Sequence, residues 1–312
     1  MKFTILFIGL FCFVGPIVNA QEQTPVVSPK DSTLQRVFEW NRKYVQRYKE
    51  DADLSYTSPG GEIGAPSKYV INGRLTTTYM LIGTEKLPVA LAIIPDFTVR
   101  VRKERSAGVR TPSFRLGGTF YVRMDNRERD YRYVSLSFVH HSNGQDGMAL
   151  NPDGSINTIN GNFSTNYLRL KYHFAHQYYK ANSRSEGLFH VIGFEWHKWF
   201  DYEKALENDY GFSRILYDFS WRRYRQQELW RLNVSLSYAM NSMKEYDLSI
   251  MKKRLNAELA FHYALPFMHN TFLMAATGYY GEDPYNIYYR DRYGYLRLGI
   301  STGILRGADK QR

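Results

Sequence analysis

Beyond its first twenty residues the chain has no run of about 18 apolar residues, so no segment reads as a membrane-crossing helix. Cysteine is nearly absent. The single one, Cys12, lies in an expected export signal, with Lys2 as its positive start and an apolar stretch from Phe3 to Val14. The signal ends in the small-residue cleavage site Val18-Asn19-Ala20. The mature chain is then expected to begin at Gln21 with neither thiol nor disulfide, which suits an exported protein that needs no covalent staple. Cys12 also sits too early to become the lipid-bearing first residue of a lipoprotein. Negative charge is the minority, 30 acidic residues against 41 basic, for a net charge of +11 that drops to +10 when Lys2 leaves with the signal. The basic residues are spread along strand-like segments without a long basic run, so nucleic acid is excluded as a partner.

Aromatic residues are plentiful: 16% of the chain, with 26 Tyr. The mean hydropathy is nevertheless only −0.46. A transmembrane β-barrel reconciles the two, because its outer face is apolar, its interfaces favour Tyr and Trp, and its interior is polar. From Gln21 to Lys30 the chain reads as a flexible leader. Between Ser32 and Glu50, Leu34, Val37, Phe38, Tyr44, Val45 and Tyr48 fall near helical spacing, which fits a short periplasmic helix or an irregular arm. Ser58 to Ser67 is rich in Gly, Pro and Ser.

Beyond residue 70 the period becomes two. Trp230, Leu232, Val234, Leu236 and Tyr238 alternate with Arg231, Asn233, Ser235 and Ser237, and the same pattern runs through 114–123, 214–222, 255–263 and 296–304. Arginines recur on the polar face, where a barrel would turn them into its lumen. Short connections at 125–130 and 224–227 alternate with longer ones at 143–163, 201–210, 241–252 and 282–291. That is the rhythm of an outer-membrane barrel with periplasmic turns and extracellular loops. The expected fold is therefore an all-β transmembrane antiparallel barrel of about twelve strands, with a weak first strand between 53 and 70. The expected organisation is a signal (1–20), a periplasmic arm that includes the first strand (21–66), the barrel (67–306) and a tail (307–312).

One strand end carries chemistry. In Val134-Ser135-Leu136-Ser137-Phe138-Val139-His140-His141-Ser142 the apolar set is even-numbered, so His140 and Ser142 face lipid side by side. In the next strand Leu168, Leu170, Tyr172 and Phe174 are the apolar set, and Asn166 leads that row at the same extracellular end. The alternation brings an imidazole beside a hydroxyl, with an amide oxygen available for the second ring nitrogen. This is the arrangement for Ser142 as nucleophile, His140 as general base and acid, and Asn166 as its orienting partner. His141 should face the lumen. Adjacent strand residues point oppositely, so the two histidines cannot chelate one metal together.

The motif His140-His141-Ser142-Asn143-Gly144 resembles the His-x-Ser-Asn-Gly of the outer-membrane phospholipase A family, and Asn166-Tyr167-Leu168 resembles that family's Asn on the next strand. Pro112 to Gly117 is similar to the strand preceding the active one, and Gly278 to Glu282 with Tyr285-Asn286 to the penultimate strand and last loop. The resemblance covers roughly residues 70–305. It implies a calcium-dependent phospholipase A1, with A2 and lyso activity, acting on glycerophospholipids and activated as a homodimer. It also implies calcium ligands: the backbone carbonyl of Gln145, the side chain of Asn162, and an aspartate that is Asp209 or Asp201. The run Asn151, Asp153, Ser155, Asn157 in the long 143–163 loop offers alternative oxygen donors or is solvated loop. A lipid A deacylase shares the His-x-Ser-Asn pattern but resembles an eight-stranded barrel with an acidic third member; a non-enzymatic porin is the alternative from another class.

Overall fold

The computed structural model describes residues 29–303 apart from 104–107, 110–111, 126–129, 181–183, 226, 244–253, 266 and 268–270. The expected signal with Cys12, the leader up to residue 28, Ile304 and the tail 307–312 lie outside the described residues. The alternating segments form antiparallel strands: β1 (Ser55–Pro59), β2 (Tyr69–Thr76), β3 (Tyr79–Gly83), β4 (Val89–Arg102), β5 (Ser113–Arg123), β6 (Asp130–Ser142) and β7 (Ser164–Lys180). They continue as β8 (Arg184–Trp196), β9 (Ser213–Arg225), β10 (Gln227–Ala239), β11 (Leu255–Ala264), β12 (Thr271–Glu282) and β13 (Arg292–Thr302).

Each strand pairs with its neighbour in sequence, as short connections dictate. β2 and β3 lie end to end along β4, divided at Thr77 and Thr78, and so occupy one position. β1, the weak first strand expected between 53 and 70, closes the sheet: Tyr56 stands opposite Ser301 of β13 on one side and Arg74 of β2 on the other. The result is a closed twelve-stranded barrel. One rim carries the short turns and the other the long loops, including 143–163, 197–212 and 283–291.

The two faces are inverted relative to a soluble protein. Leu116, Leu136, Phe138, Leu170, Ile192, Leu259 and Leu298 are exposed on the outside, while Thr119, Ser135, Ser137, Arg231, His262 and Arg297 are buried in the lumen. Outward apolar and inward polar residues are what a lipid-embedded barrel requires. The interior arginines are matched by carboxylates: Arg100 with Asp283 (2.7 Å) and Glu62 (3.2 Å), Arg169 with Glu195 (2.7 Å), Arg214 with Glu282 (2.9 Å). Buried charges persist when they are paired in this way.

The helical spacing between 32 and 50 is realised as α1 (Pro29–Tyr48), which is docked into the turn-end mouth. Tyr44 and Tyr48 are the buried face: Tyr48 stacks on Tyr121 at 4.5 Å, and Tyr44 packs against Tyr131 and Tyr133. Arg47 lies 4.0 Å over the Tyr131 ring. The chain then descends into the lumen, where Glu50 pairs with Arg222 (3.0 Å), Asp53 with Arg74 (2.7 Å), and Tyr121 donates to Asp51 (2.9 Å). At the loop end a second cluster joins Ala149 and Phe163, Leu206, Tyr210 and Phe212, and Tyr285, Ile287 and Tyr289 from three different loops. Tyr289 donates to the Ala205 carbonyl (2.6 Å), tying the last loop to the 197–212 loop. Between plug and cap lie polar cavities of about 190 and 370 Å³, sharing Asp51, Asp53, Arg74, Lys171, Asp218 and Glu258 in their walls.

Two outcomes follow from the plug. Tyr48→Ala should lower barrel stability by about 3–5 kcal/mol, the usual loss for a buried aromatic, read by denaturant unfolding in detergent; a shift under 1 kcal/mol would mean the helix is not seated. Burial alone would raise the Asp51 carboxyl, but Lys171, His173 and the Tyr121 hydrogen bond outweigh it and hold it below the usual range. A depressed folded-state value means the contribution is complete above about pH 4 and is lost as pH falls through the folded value. Melting temperature should therefore fall more steeply below pH 4 in wild type than in Asp51→Asn.

Candidate active site

The β6–β7 register sets His140 opposite Asn166, His141 opposite Thr165 and Ser142 opposite Ser164. His140 is exposed on the outer face, and Ser142 and Asn166 are half-buried there. His140 Nδ1 lies 2.8 Å from Asn166 Oδ1. An amide oxygen can only accept, so Nδ1 carries the proton and donates, leaving the Nε2 lone pair free. The amide is fixed from its other end as well, since Asn166 Nδ2 donates to the Asp201 carbonyl at 2.8 Å. Two residues along a strand amount to about 7 Å of backbone, so the side chains of His140 and Ser142 are neighbours on one face.

The strand stops directly after Ser142 for local reasons. Gly144 has φ +64, and a Cβ there would meet the Phe114 ring at 3.0 Å. Asn143 is turned inward and buried; its Nδ2 donates to the Gly161 carbonyl (2.8 Å) and its Oδ1 accepts from the Phe163 N–H (2.9 Å). This one side chain staples the two ends of the 143–163 loop beside the serine. The Asn143-Gly144 pair was visible as a motif, but its role as a clamp was not. The Asp201 carbonyl carries no sequence signal, because any residue supplies that group.

Four other hydroxyl–imidazole pairs occupy the lumen. Thr165 Oγ1 donates to His197 Nδ1 (2.7 Å), whose Nε2 donates to Glu195 (2.9 Å). Burial pushes the His197 imidazole below its ordinary value despite that carboxylate. Ser113 with His141 (2.9 Å), Ser135 with His173 (2.8 Å) and Ser301 with His262 (2.8 Å) repeat the pairing. All four imidazoles are buried, so these pairs satisfy polar groups inside the barrel. His141 is among them, facing inward as the alternation requires. On the outer face His140 has the serine hydroxyl of Ser142 two residues away, whereas outward His176 pairs with Asp130 and has the phenol Tyr178 two residues away, and outward His190 bonds the Tyr217 hydroxyl at 3.0 Å.

The implied metal donors divide. The N–H of Asn162 donates to the Gly147 carbonyl (3.0 Å) and that of Gly147 to the Asn160 carbonyl (2.9 Å), so Gln145 and Asn162 lie on the two arms of one closed loop base. Asp209 is buried and its carboxylate is engaged by Arg290 at 3.2 Å, whereas Asp201 is exposed. The 151–157 run satisfies itself: Asp153 accepts from both the N–H and the hydroxyl of Ser155, and Asn151 donates to the Ser155 hydroxyl. Among the described residues no three His, Cys, Asp or Glu side chains gather at a metal-binding distance.

No protein-family model and no curated protein matches the chain. Solved structures do. Outer membrane phospholipase A from Escherichia coli superimposes with a TM-score of 0.52 at 14% identity, over 80% of this chain and 88% of that one. An active-site mutant of the same protein at pH 6.1 gives 0.52 at 13% identity, over 88% and 98%. A Salmonella typhi outer membrane phospholipase dimer with bound calcium gives 0.50 at 12% identity, over 80% and 88%. At these identities the likeness is one of fold: the chain shares the barrel architecture of the outer-membrane phospholipases.

Proposed function

We propose that the protein is an outer-membrane phospholipase that hydrolyses acyl esters of glycerophospholipids, with the turn end in the periplasm and the loop end outside. The observation that carries this reading is the outward-facing hydrogen bond from His140 Nδ1 to Asn166 Oδ1, with Ser142 next on the same face. In the reaction Ser142 Oγ attacks the ester carbonyl while His140 Nε2 takes its proton. The tetrahedral intermediate collapses as His140 returns that proton to the leaving glycerol oxygen. Water, deprotonated by the same Nε2, then releases the fatty acid from Ser142. Asn166 holds the ring in the tautomer this needs.

Polar groups directed at lipid cost roughly 2–4 kcal/mol for basic charges at the midplane and much less near the interface. A site at the loop-end rim avoids most of that cost and meets ester carbonyls at the headgroup level. A passive pore is a poorer reading, because the described residues fill both mouths: α1 at one end and the three-loop aromatic cap at the other.

Calcium suits the oxygen-only donors of this region. The carbonyl of Gln145 and the amide oxygen of Asn162 flank the loop base beside Ser142, and exposed Asp201 is a better third ligand than Asp209, whose charge Arg290 already neutralises. Bound there, calcium would supply electrophilic stabilisation of the developing oxyanion. The homodimer of the Salmonella protein is carried to this chain as part of the proposal, and chemical crosslinking in substrate-containing micelles tests it.

Ser142→Ala should abolish release of fatty acid from mixed phospholipid micelles while the refolded barrel keeps its heat-modifiable migration; full residual activity would sink the assignment. His140→Ala should lose as much, and Asn166→Ala less, about 10–100-fold in kcat, since it removes orientation but leaves nucleophile and base. A chelator should silence wild type without altering its unfolding curve, and an unchanged rate in chelator would remove the metal from the proposal.

A further inference from the structure

The segment after β8 leaves the sheet and rejoins it beside the site. Trp196 is paired opposite Leu168, and pairing resumes only at Tyr202, opposite Thr165. From Leu168 to Thr165 is three steps on β7; from Trp196 to Tyr202 is six on the facing chain, so once the His197 N–H has bonded the Phe212 carbonyl (2.9 Å), residues 198–201 are thrown out of the sheet. The excursion is closed by the Phe200 N–H donating to the His197 carbonyl (3.1 Å) and re-anchored by Glu203 N–H on the Ser164 carbonyl (2.9 Å). Phe200 reaches across β7 to Phe138 of β6, edge to face with ring centres 5.2 Å apart. Trp199 leans on Trp196 at 5.8 Å and is 76% exposed. The same excursion delivers the Asp201 carbonyl to Asn166.

We propose that Phe138, Phe200 and Trp199 form a shelf on the outer wall that receives the acyl chain of the ester held at Ser142, and that this excursion sets chain-length preference. The inference rests on the hydrolase reading above. Phe138 lies two residues from His140 toward mid-barrel on the same face, followed by exposed Leu136 and Leu170. An acyl chain leaving the scissile carbonyl along the strand direction meets the aromatic pair first and the aliphatic row next. Indole and phenyl rings at the rim suit this place, since their apolar bodies take up methylene groups at the water boundary. An excursion that served only to hold Asn166 would need the Asp201 carbonyl but no exposed tryptophan.

The test compares a short-chain and a long-chain ester, 4-nitrophenyl butyrate and 4-nitrophenyl palmitate, on the refolded full chain and on Trp199→Ala, Phe200→Ala and Phe200→Leu. The long-to-short ratio of kcat/KM should fall about tenfold in the two alanine variants and recover in part in Phe200→Leu. A ratio that stays constant while both rates drop would overturn the shelf and leave the excursion as a support for Asn166. If wild type with calcium hydrolyses neither these esters nor mixed phospholipid micelles, the hydrolase reading fails, and the shelf is judged by fluorescence instead. In phosphatidylcholine vesicles brominated near the ester end of the acyl chain, the emission lost on Trp199→Phe should be strongly quenched. An unquenched Trp199 contribution would overturn the lipid contact itself.

Discussion

The register between β6 and β7 is the constraint on which the site depends. A slip of one residue in either strand would send His140 or Asn166 into the lumen and bring His141 or Thr165 out. What prevents the slip is on the other face. His141 is hydrogen-bonded to Ser113 of β5, and Thr165 to His197, which is held by Glu195. The two inward neighbours of the outward pair are thus locked by buried hydrogen bonds to different elements. The outer His140–Asn166 pair inherits its alignment from an inner network that touches no lipid and no substrate.

That inner network also explains how a chain without a disulfide among its described residues can hold so many buried charges. Among the described residues Arg74, Arg100, Arg169, Arg214, Arg222, Arg231 and Arg297 each meet a carboxylate, and several meet two, as Arg100 does with Asp283 and Glu62. Removing one member would leave a desolvated charge, which costs more than the pair contributes. The arrangement therefore favours specificity of pairing over raw stability. The plug follows the same rule, because Glu50, Asp51 and Asp53 descend to lumenal Arg222, Tyr121 and Arg74 rather than to apolar surface. The arginines that recur on the polar face of the sequence stand inside the barrel beside carboxylates.

Much of this was legible in the sequence, and the boundary of legibility is physical. Strand alternation follows from a local period, so the faces of Leu136, His140, His141 and Asn166 could be read one residue at a time. The weak first strand could be bracketed but not seen, since β1 is five residues long and its only apparent purpose is closure with β13. The helix could be suspected from spacing, but its docking depends on Tyr121 and Tyr133, some seventy to ninety residues away. Asp209 met every local requirement for a ligand, yet Arg290 from another loop occupies its carboxylate. The two contacts that finish the site, the Asn143 clamp and the Asp201 carbonyl, use backbone groups of loops whose paths no periodicity describes.

The choice of an amide as third member is itself a consequence of facing outward. A carboxylate would stabilise the imidazolium formed in the proposed reaction more strongly, but on an outer wall it would need its own counter-charge in every resting barrel. An amide avoids that charge at the expense of a second requirement: its N–H groups must also find acceptors. Asn166 meets the requirement through the Asp201 carbonyl, which exists at that point only because the chain after β8 leaves the sheet and returns. The excursion at 198–201 is therefore tied to the identity of residue 166. With an aspartate there, the carbonyl of Asp201 would face a like partial charge rather than a donor, and the same loop would destabilise the pair it now holds.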